Sequence, residues 1–215
     1  MKDDYERIAP IYDLFVEPFL GAVREEVLSA ALSHGLFDIL DLCCGTGRQA
    51  VLLRERGIRT VGVDVSPSML GKAKRGSPPD IAYYLHDASE LPFGDHVFDA
   101  ALLSLALHEK APDIRNAILA EAKRVVKPNG KMLVVDYLLA AGGAPATAVA
   151  LHLIRVVERF AGALHYANFR QFMATGAAEG LLRRCGLRPV FEKRFYFGTI
   201  GLFLCEIPAE RPGGC

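Results

Sequence analysis

The stretch DLCCGTG, Asp41 to Gly47, packs a carboxylate, two adjacent thiols and two glycines into one short segment. Three chemistries draw on such groups: metal ligation or redox at the cysteines, a disulfide, or a backbone cradle for a ligand. Adjacent residues of a strand point to opposite faces, so Cys43 and Cys44 do not readily share one ion. Cys185, Cys205 and Cys215 bring the count to five, with no Cys-x-x-Cys spacing. That number and spacing match neither a disulfide framework nor a zinc site, and no metal is expected. Free cysteines at a buried strand end commonly act as small hydrophobes.

The cradle fits better. Gly45 and Gly47 allow backbone to approach a ligand with no Cβ in the way. Asp64 follows about 20 residues on, where a carboxylate at the next strand end can take both hydroxyls of a ribose. A dinucleotide fingerprint requires G-x-G-x-x-G aimed at a pyrophosphate. Here no third glycine follows Gly47 at that distance, and Asp41 stands where it would repel a pyrophosphate. An acid beside the loop suits a ligand with an amino group or a positive sulfur, and S-adenosylmethionine carries both. An NAD-dependent oxidoreductase is the enzyme alternative, and a non-catalytic S-adenosylmethionine-binding module is the alternative from another class.

The surrounding pattern supplies the elements that hold these residues. FDILDLCC, IRTVGVDV, IAYYLHD, VFDAALLSL and KMLVVDYLL read as strands without polar alternation, separated by helices near 48–56, 67–75 and 112–126. Ser66 is placed to cap the second of these, with Pro67 at its first position. Such alternation predicts an α/β fold with a parallel sheet covered by helices on both faces. RPVFEKRFYFG and TIGLFLCEI then read as two strands joined tightly at Gly198-Thr199, so one late strand runs antiparallel. The expected architecture is a Rossmann-like, seven-stranded, mostly parallel sheet with a terminal antiparallel hairpin. Ligands on such sheets bind beyond the carboxyl ends of strands, where the topology reverses.

The chain has 215 residues, which favours one domain with a substantial core. Lys and Arg total 25 and Asp and Glu total 25, so no cationic excess exists to neutralise phosphates, and nucleic acid is not an expected partner. The charged N-terminal MKDDYERIAP lacks the apolar core of a signal peptide, and no uninterrupted run of about 18 apolar residues occurs. A cytoplasmic protein is the expectation.

ILDLCCGTGR resembles the first motif of class I S-adenosylmethionine-dependent methyltransferases, an acid followed by three alternating glycines. Asp41 would be the acid, Gly45 and Gly47 the second and third glycines, and Cys43 stands in place of the first. VGVDVSPSML resembles the second motif, which implies Asp64 and the adjoining Val65 at the ribose and Met69 against the adenine. HDASELPFGDHVFDAAL resembles the third, placing Asp87 at the adenine amine with Ala88 beside it. ALLSLALHE resembles the fourth, which adds Ser104, and EAKRVVKPNGKMLVVD resembles the segment entering the fifth strand. The N-terminal YERIAPIYDLFVEPF is similar to the leading helices of the ubiquinone/menaquinone-biosynthesis group, where the tyrosine of a Tyr-Asp pair, Tyr12-Asp13 here, covers the cofactor. The resemblance covers most of Asp3 to Tyr137 and implies S-adenosylmethionine as cofactor.

Methyl transfer depends mainly on aligning acceptor and methyl in a dry pocket, with a base only where the acceptor loses a proton. The fourth-strand loop, Ser104 to His108, lacks the Asn/Asp-Pro-Pro-aromatic box of nucleic-acid methylating relatives, which points to a small, apolar or aromatic acceptor methylated at oxygen, carbon or nitrogen. His108 is a candidate general base or acceptor-orienting group, against a helix-end histidine bonded to backbone. His165 and Tyr166 are candidates on the acceptor side, against a solvated histidine and a packing tyrosine. Val149, Leu153, Val156, Val157 and Phe160 recur near helical spacing, for which core or lid packing is expected and a dimer face or peripheral membrane contact is the alternative. The chain divides into N-terminal lid helices (1–35), a cofactor core (36–139), an acceptor-side insertion (140–185) and closing strands (186–207). An arsenic methyltransferase is disfavoured because the cysteines offer no thiolate trio.

Overall fold

A computed structural model describes residues 9–139 and 145–208, with side chains from Leu20 onward. Seven strands form one sheet: β1 (Asp38–Leu42), β2 (Arg59–Asp64), β3 (Ala82–Leu85), β4 (Phe98–Ser104), β5 (Val126–Tyr137), β6 (Arg188–Phe195) and β7 (Ile200–Glu206). Their order is β3-β2-β1-β4-β5-β7-β6. The first five are mutually parallel, and β7 pairs antiparallel with both β5 and β6. The expected sheet and closing hairpin are therefore present. Consecutive residues are buried along β1, β4 and the second half of β5, so both sheet faces are covered.

The helices are α1 (Ala9–Ser33), α2 (Arg48–Glu55), α3 (Pro67–Gly76), α4 (Pro112–Val125), α5 (Pro145–Phe160), α6 (Ala163–Ala174) and α7 (Ala177–Arg184). Ser66 caps α3 by accepting a hydrogen bond from the Met69 amide at 3.1 Å, with Pro67 inside the first turn. α2 ends on Gly57 at φ +80°, where the Ile58 amide returns to the Leu53 carbonyl and the chain turns directly into β2. The helical stretch that leads into β6 is divided into α6 and α7. Gly176 breaks it at φ +99°, and Gly180 lets the next turn close, because a Cβ there would sit 2.4 Å from the Thr175 carbonyl oxygen. β5 starts earlier than its apolar run, since Val126 pairs with Phe98 before a register shift.

The apolar stripe of α5 does not pack inward. Val149, Leu153, Val156, Val157 and Phe160 are 60%, 58%, 39%, 65% and 87% exposed, which corrects the core half of the expected core or lid packing. The inward side is taken by Thr147 and Glu158, with Ile154 half-buried between them. Polar groups on the partner surface, described below, explain that choice. No helix among the described residues is long and apolar enough to cross a membrane.

Arg115 on α4 ties the insertion to the sheet. It is 1% exposed and donates to the carbonyls of Leu107 (2.7 Å), His108 (3.4 Å) and Asn168 (2.9 Å) and to Gln171 Oε1 (2.6 Å). Its guanidinium also lies 5.0 Å from the Phe172 ring centroid. Arg115→Met keeps the volume and deletes these donors, leaving buried carbonyls unpaired. A loss of about 3 kcal/mol in urea unfolding is expected; a change below about 0.5 kcal/mol would rule out this role.

Candidate active site

β1 is flanked by β2 on one side and β4 on the other, so the sheet order reverses at its carboxyl end. The loop that leaves this end alternates left-handed residues: Cys43 at φ +56°, Gly45 at +54° and Gly47 at +74°. Glycine adopts these angles freely, whereas Cys43 does so at a conformational cost of about 1 kcal/mol. The cysteine in the first-glycine position therefore keeps the loop's shape. Gly47 has a second constraint, since an added Cβ would meet Tyr83 Oη at 2.3 Å and the Ala73 Cβ at 3.0 Å.

The loop is pinned to Asp64 at the tip of β2. Gly45 N donates to Asp64 Oδ2 at 2.8 Å, and Ser66 N donates to Oδ1 at 2.9 Å. Each carboxylate oxygen accepts two hydrogen bonds, so this grip fixes the group and leaves capacity on both oxygens toward the crevice. Burial raises the Asp64 pKa, against the two amide bonds that lower it.

Asp41 lies deeper, at 2% exposure, and its Oδ2 accepts no hydrogen bond among the described residues. Burial raises its pKa to about 7, opposed by the charge of Arg24 and reinforced by that of Asp64. An orphaned buried carboxylate oxygen calls for a cationic or donating partner. Burial also raises Cys43 to about 12 and Cys44 well above its ordinary value, although both residues keep some surface in solvent. Burial thus favours the neutral thiol at both positions.

The other residues singled out on this side fall around the same strand ends. Val65 is half-buried after Asp64, and Met69 is buried beneath α3. Asp87 is exposed beyond β3, and its Oδ1 accepts from Ser89 N at 2.8 Å and Ser89 Oγ at 2.7 Å. Burial raises Asp87, and those two bonds outweigh it to hold the carboxyl below its usual range. Ala88 is buried, and Ser104 is half-buried at the tip of β4. Tyr12 falls within α1, but its side chain lies outside the described residues.

A second group of charges sits beyond β4 and β5. His108 is 4% exposed; its Nδ1 lies 2.8 Å from Asp136 Oδ1, and its Nε2 lies 3.4 Å from Glu158 Oε2. Asp136 is fully buried and accepts from three amides: Leu107 (3.1 Å), His108 (3.2 Å) and Tyr137 (2.8 Å). Burial lowers the His108 pKa, but Asp136 and then Glu158 raise it further, to about 10. The imidazole is thus bonded to two carboxylates, which corrects the reading of a ring bonded to backbone. Glu158 also accepts from Tyr137 Oη at 2.7 Å and lies 2.5 Å from His165 Nε2. Burial raises Glu158, yet the two histidines and the tyrosine hold it well below the usual carboxylate range. His165, for which a solvated ring was the alternative, is joined to this cluster, and Tyr166 stacks on Phe169 with centroids 6.1 Å apart. Asn168 donates to the Glu109 carbonyl at 2.8 Å, closing α6 onto the same loop.

Asp136, Glu158, Arg115 and Glu109 were not among the residues singled out from sequence. Asp136 carried a usable signal, an acid ending a buried strand, as Asp41 and Asp64 do. Glu158 looked only like a charge interrupting an apolar run. Two shallow clefts of about 350 Å³ lie at the opposite, amino-terminal edge of the parallel strands, one around Arg59 and Asp80 and one around Lys131 and Glu206, away from both charge groups.

A mostly parallel sheet with a glycine loop and two carboxylates at its switch point is the arrangement of a ligand-binding α/β protein. Residues 39–130 match the family model described as a methyltransferase domain. An uncharacterized methyltransferase of Synechocystis is 43% identical over 98 residues, 46% of this chain and 46% of that protein. The demethylmenaquinone methyltransferase of Thermus thermophilus is 34% identical over 227 residues, covering 97% of this chain and 100% of that protein. The alignment thus spans under half of the first relative and all of the second. Among solved structures, a 1,6-didemethyltoxoflavin-N1-methyltransferase of Burkholderia thailandensis with S-adenosylhomocysteine bound shares the fold, at TM-score 0.60, 20% identity and 91% and 81% coverage of the two chains. The chain belongs to the S-adenosylmethionine-dependent methyltransferases, in the group that contains the demethylmenaquinone enzymes, and S-adenosylmethionine is its cofactor. The residues present fit that cofactor: an orphaned acid for positive charge, and a held carboxylate with free acceptor capacity for a ribose.

Gly47→Ala tests the loop. The substitution forces a Cβ onto the Tyr83 phenol at a positive φ. Destabilisation of about 1–3 kcal/mol is expected in chemical denaturation, and Tyr83→Ala in the same chain should recover part of it. An unchanged midpoint for Gly47→Ala would contradict this packing.

Proposed function

We propose that this chain methylates a small, apolar or aromatic acceptor of the quinone class, with the cofactor held at the tips of β1, β2 and β3. The observation that carries the cofactor half is Asp64, fixed by the Gly45 and Ser66 amides with acceptor capacity left on both oxygens. The full-length likeness to a demethylmenaquinone methyltransferase supports the acceptor class. S-adenosylmethionine, when bound, supplies a methyl group on a cationic sulfur.

The chain's own residues do the rest. Asp64 takes the ribose hydroxyls, with Val65 alongside. Asp41 faces the positive end of the cofactor across the loop of Cys43, Gly45 and Gly47. Met69, Asp87 and Ala88 bound the base, and Ser104 lies between cofactor and acceptor. The 140–185 insertion encloses the acceptor. There, Tyr166 orients it, His108 and His165 position the insertion through Glu158, and the aromatic surfaces of Tyr137 and Phe169 exclude water. The four cysteines among the described residues are free, which fits a reducing, cytoplasmic location.

Asp64→Ala is expected to weaken S-adenosylmethionine binding by about 1–3 kcal/mol in calorimetry through lost charge-assisted hydrogen bonds. Unchanged affinity in the folded variant refutes the ribose assignment. For the acceptor, an assay of a demethylated naphthoquinol beside a hydrophilic catechol and an amine should show turnover of the naphthoquinol first; turnover of the amine alone would overturn the quinone class.

Asp41 gives a pH test. The groups facing it are Arg24 on α1, Asp64 on β2, Tyr83 on β3 and the loop thiols Cys43 and Cys44. Its folded pKa of about 7 exceeds its ordinary 3.8, so its contribution to stability is complete below the lower value and is lost as pH rises through about 7. A cation beside it prefers the ionised form. Affinity for S-adenosylmethionine should therefore fall as pH drops from 7 to 5.5, approaching a factor of about 10 per unit. Asp41→Asn should bind more weakly at pH 7 and show a flat profile. Parallel profiles for both proteins would remove Asp41 from the cofactor's charge.

A further inference from the structure

Two imidazoles converge on one carboxylate oxygen where the insertion meets the sheet. His165 Nε2 lies 2.5 Å and His108 Nε2 3.4 Å from Glu158 Oε2. One ligand atom from each residue lies within 4.8 Å of the other two. The residues come from three segments: the loop after β4, α5 and α6. Behind each ring stands another carboxylate. His108 Nδ1 meets Asp136 Oδ1 at 2.8 Å, and His165 Nδ1 faces Glu109 Oε2 at 3.4 Å. Asp136 is itself fixed by three backbone amides, and the second Glu158 oxygen is held by Tyr137 Oη.

A rear carboxylate is the device that orients metal-ligating histidines and raises their basicity. Two histidines and one carboxylate form a donor set for zinc or ferrous iron with room for a further ligand. Tetrahedral bonds of about 2.0–2.1 Å place ligand atoms about 3.3 Å apart. The His108–Glu158 separation already meets that spacing, the His165–Glu158 pair needs to open by less than about 1 Å, and the two ring nitrogens, within 4.8 Å of each other, need to move by no more than about 1.5 Å. Sequence spacing hid the set, because it carries no short motif such as H-E-x-x-H.

We propose that His108 Nε2, Glu158 Oε2 and His165 Nε2 bind one divalent first-row transition-metal ion, zinc in the first instance. The ion takes the place of the protons shared between the rings and the carboxylate, and these leave to solvent. It joins α5 and α6 to the β4 loop through coordinate bonds and presents an open position toward the insertion. The inference goes beyond methyl transfer and stands whether or not the quinone reading does.

The test is metal binding, read without turnover. Metal-stripped full-length protein is titrated with Zn²⁺ against a chromogenic chelator and, separately, with Co²⁺ while its visible absorption is recorded. One ion per chain and intense cobalt bands of four- or five-coordinate geometry are expected. His165→Ala and Glu158→Gln should each weaken zinc about 100-fold or more, and Asp136→Asn about 10- to 100-fold. His165 is at the outer edge of the cluster, with its side chain 19% exposed, so its variant is the one expected to stay folded by circular dichroism. Substoichiometric zinc in the parent chain, or zinc that binds equally well in folded His165→Ala, overturns the proposal and leaves a proton-bridged cluster.

Discussion

Carboxylates placed at the carboxyl ends of parallel strands must be paid for in desolvation, and this chain meets that constraint differently at each tip. Asp64 on β2 receives two backbone amides, one from the glycine loop and one from the start of α3. Asp136 on β5 receives three amides and the His108 ring. Asp41 on β1 keeps one oxygen without a hydrogen bond among the described residues, and its pKa rises accordingly. Amide-held acids are rigid recognition points. The unheld one is where a ligand charge has the most to gain, because leaving it unpaired in low dielectric costs the fold stability.

Those tips divide the site into two halves with different origins. The cofactor half is local: Asp41 to Gly47 and Asp64 to Met69 are each one strand end, one turn and one helix start. Left-handed backbone at Cys43, Gly45 and Gly47 shapes the loop, and Asp64 and Tyr83 on the two neighbouring strands hold it there. The acceptor half is assembled from distance. Glu158 meets His108 across 50 positions of sequence, and Arg115 reaches Gln171 across 56. Its geometry exists only after the sheet and α5 to α7 have formed.

That division explains what could be read from the residues alone. Five apolar runs separated by helices, with Ser66-Pro67 at a helix start, specified the sheet because period and capping are local signals. The Asp41 and Asp64 pair was legible for the same reason. Gly176 and Gly180 mark weak points in the helical stretch 168–186, but that the break falls at Gly176 depends on how close Gly180 comes to the Thr175 carbonyl, a packing distance that composition does not carry. Glu158 was illegible. On a helix with Val156, Val157 and Phe160 around it, a single acid looks like the solvated side, and only the presence of His108, Tyr137 and His165 opposite makes it the buried one.

The inversion of α5 has an energetic consequence. A surface helix ordinarily docks by its apolar face, at about 1.5–3 kcal/mol for each large aliphatic side chain fully buried. α5 leaves Val149, Leu153, Val157 and Phe160 largely exposed and buries Thr147 and Glu158 instead, with Ile154 half-buried. Its hold on the core therefore comes mainly from hydrogen bonds to a buried charge, worth about 1.5–3 kcal/mol each. Such bonds are directional and depend on the charge states of their partners, whereas apolar burial is neither. The sheet away from the β5 tip, packed by apolar side chains on both faces, meets the Glu158 cluster only through Asp136 and Tyr137 and is otherwise indifferent to its state. The insertion is not, so whatever occupies or protonates that cluster sets how firmly the acceptor side closes over a core that does not change.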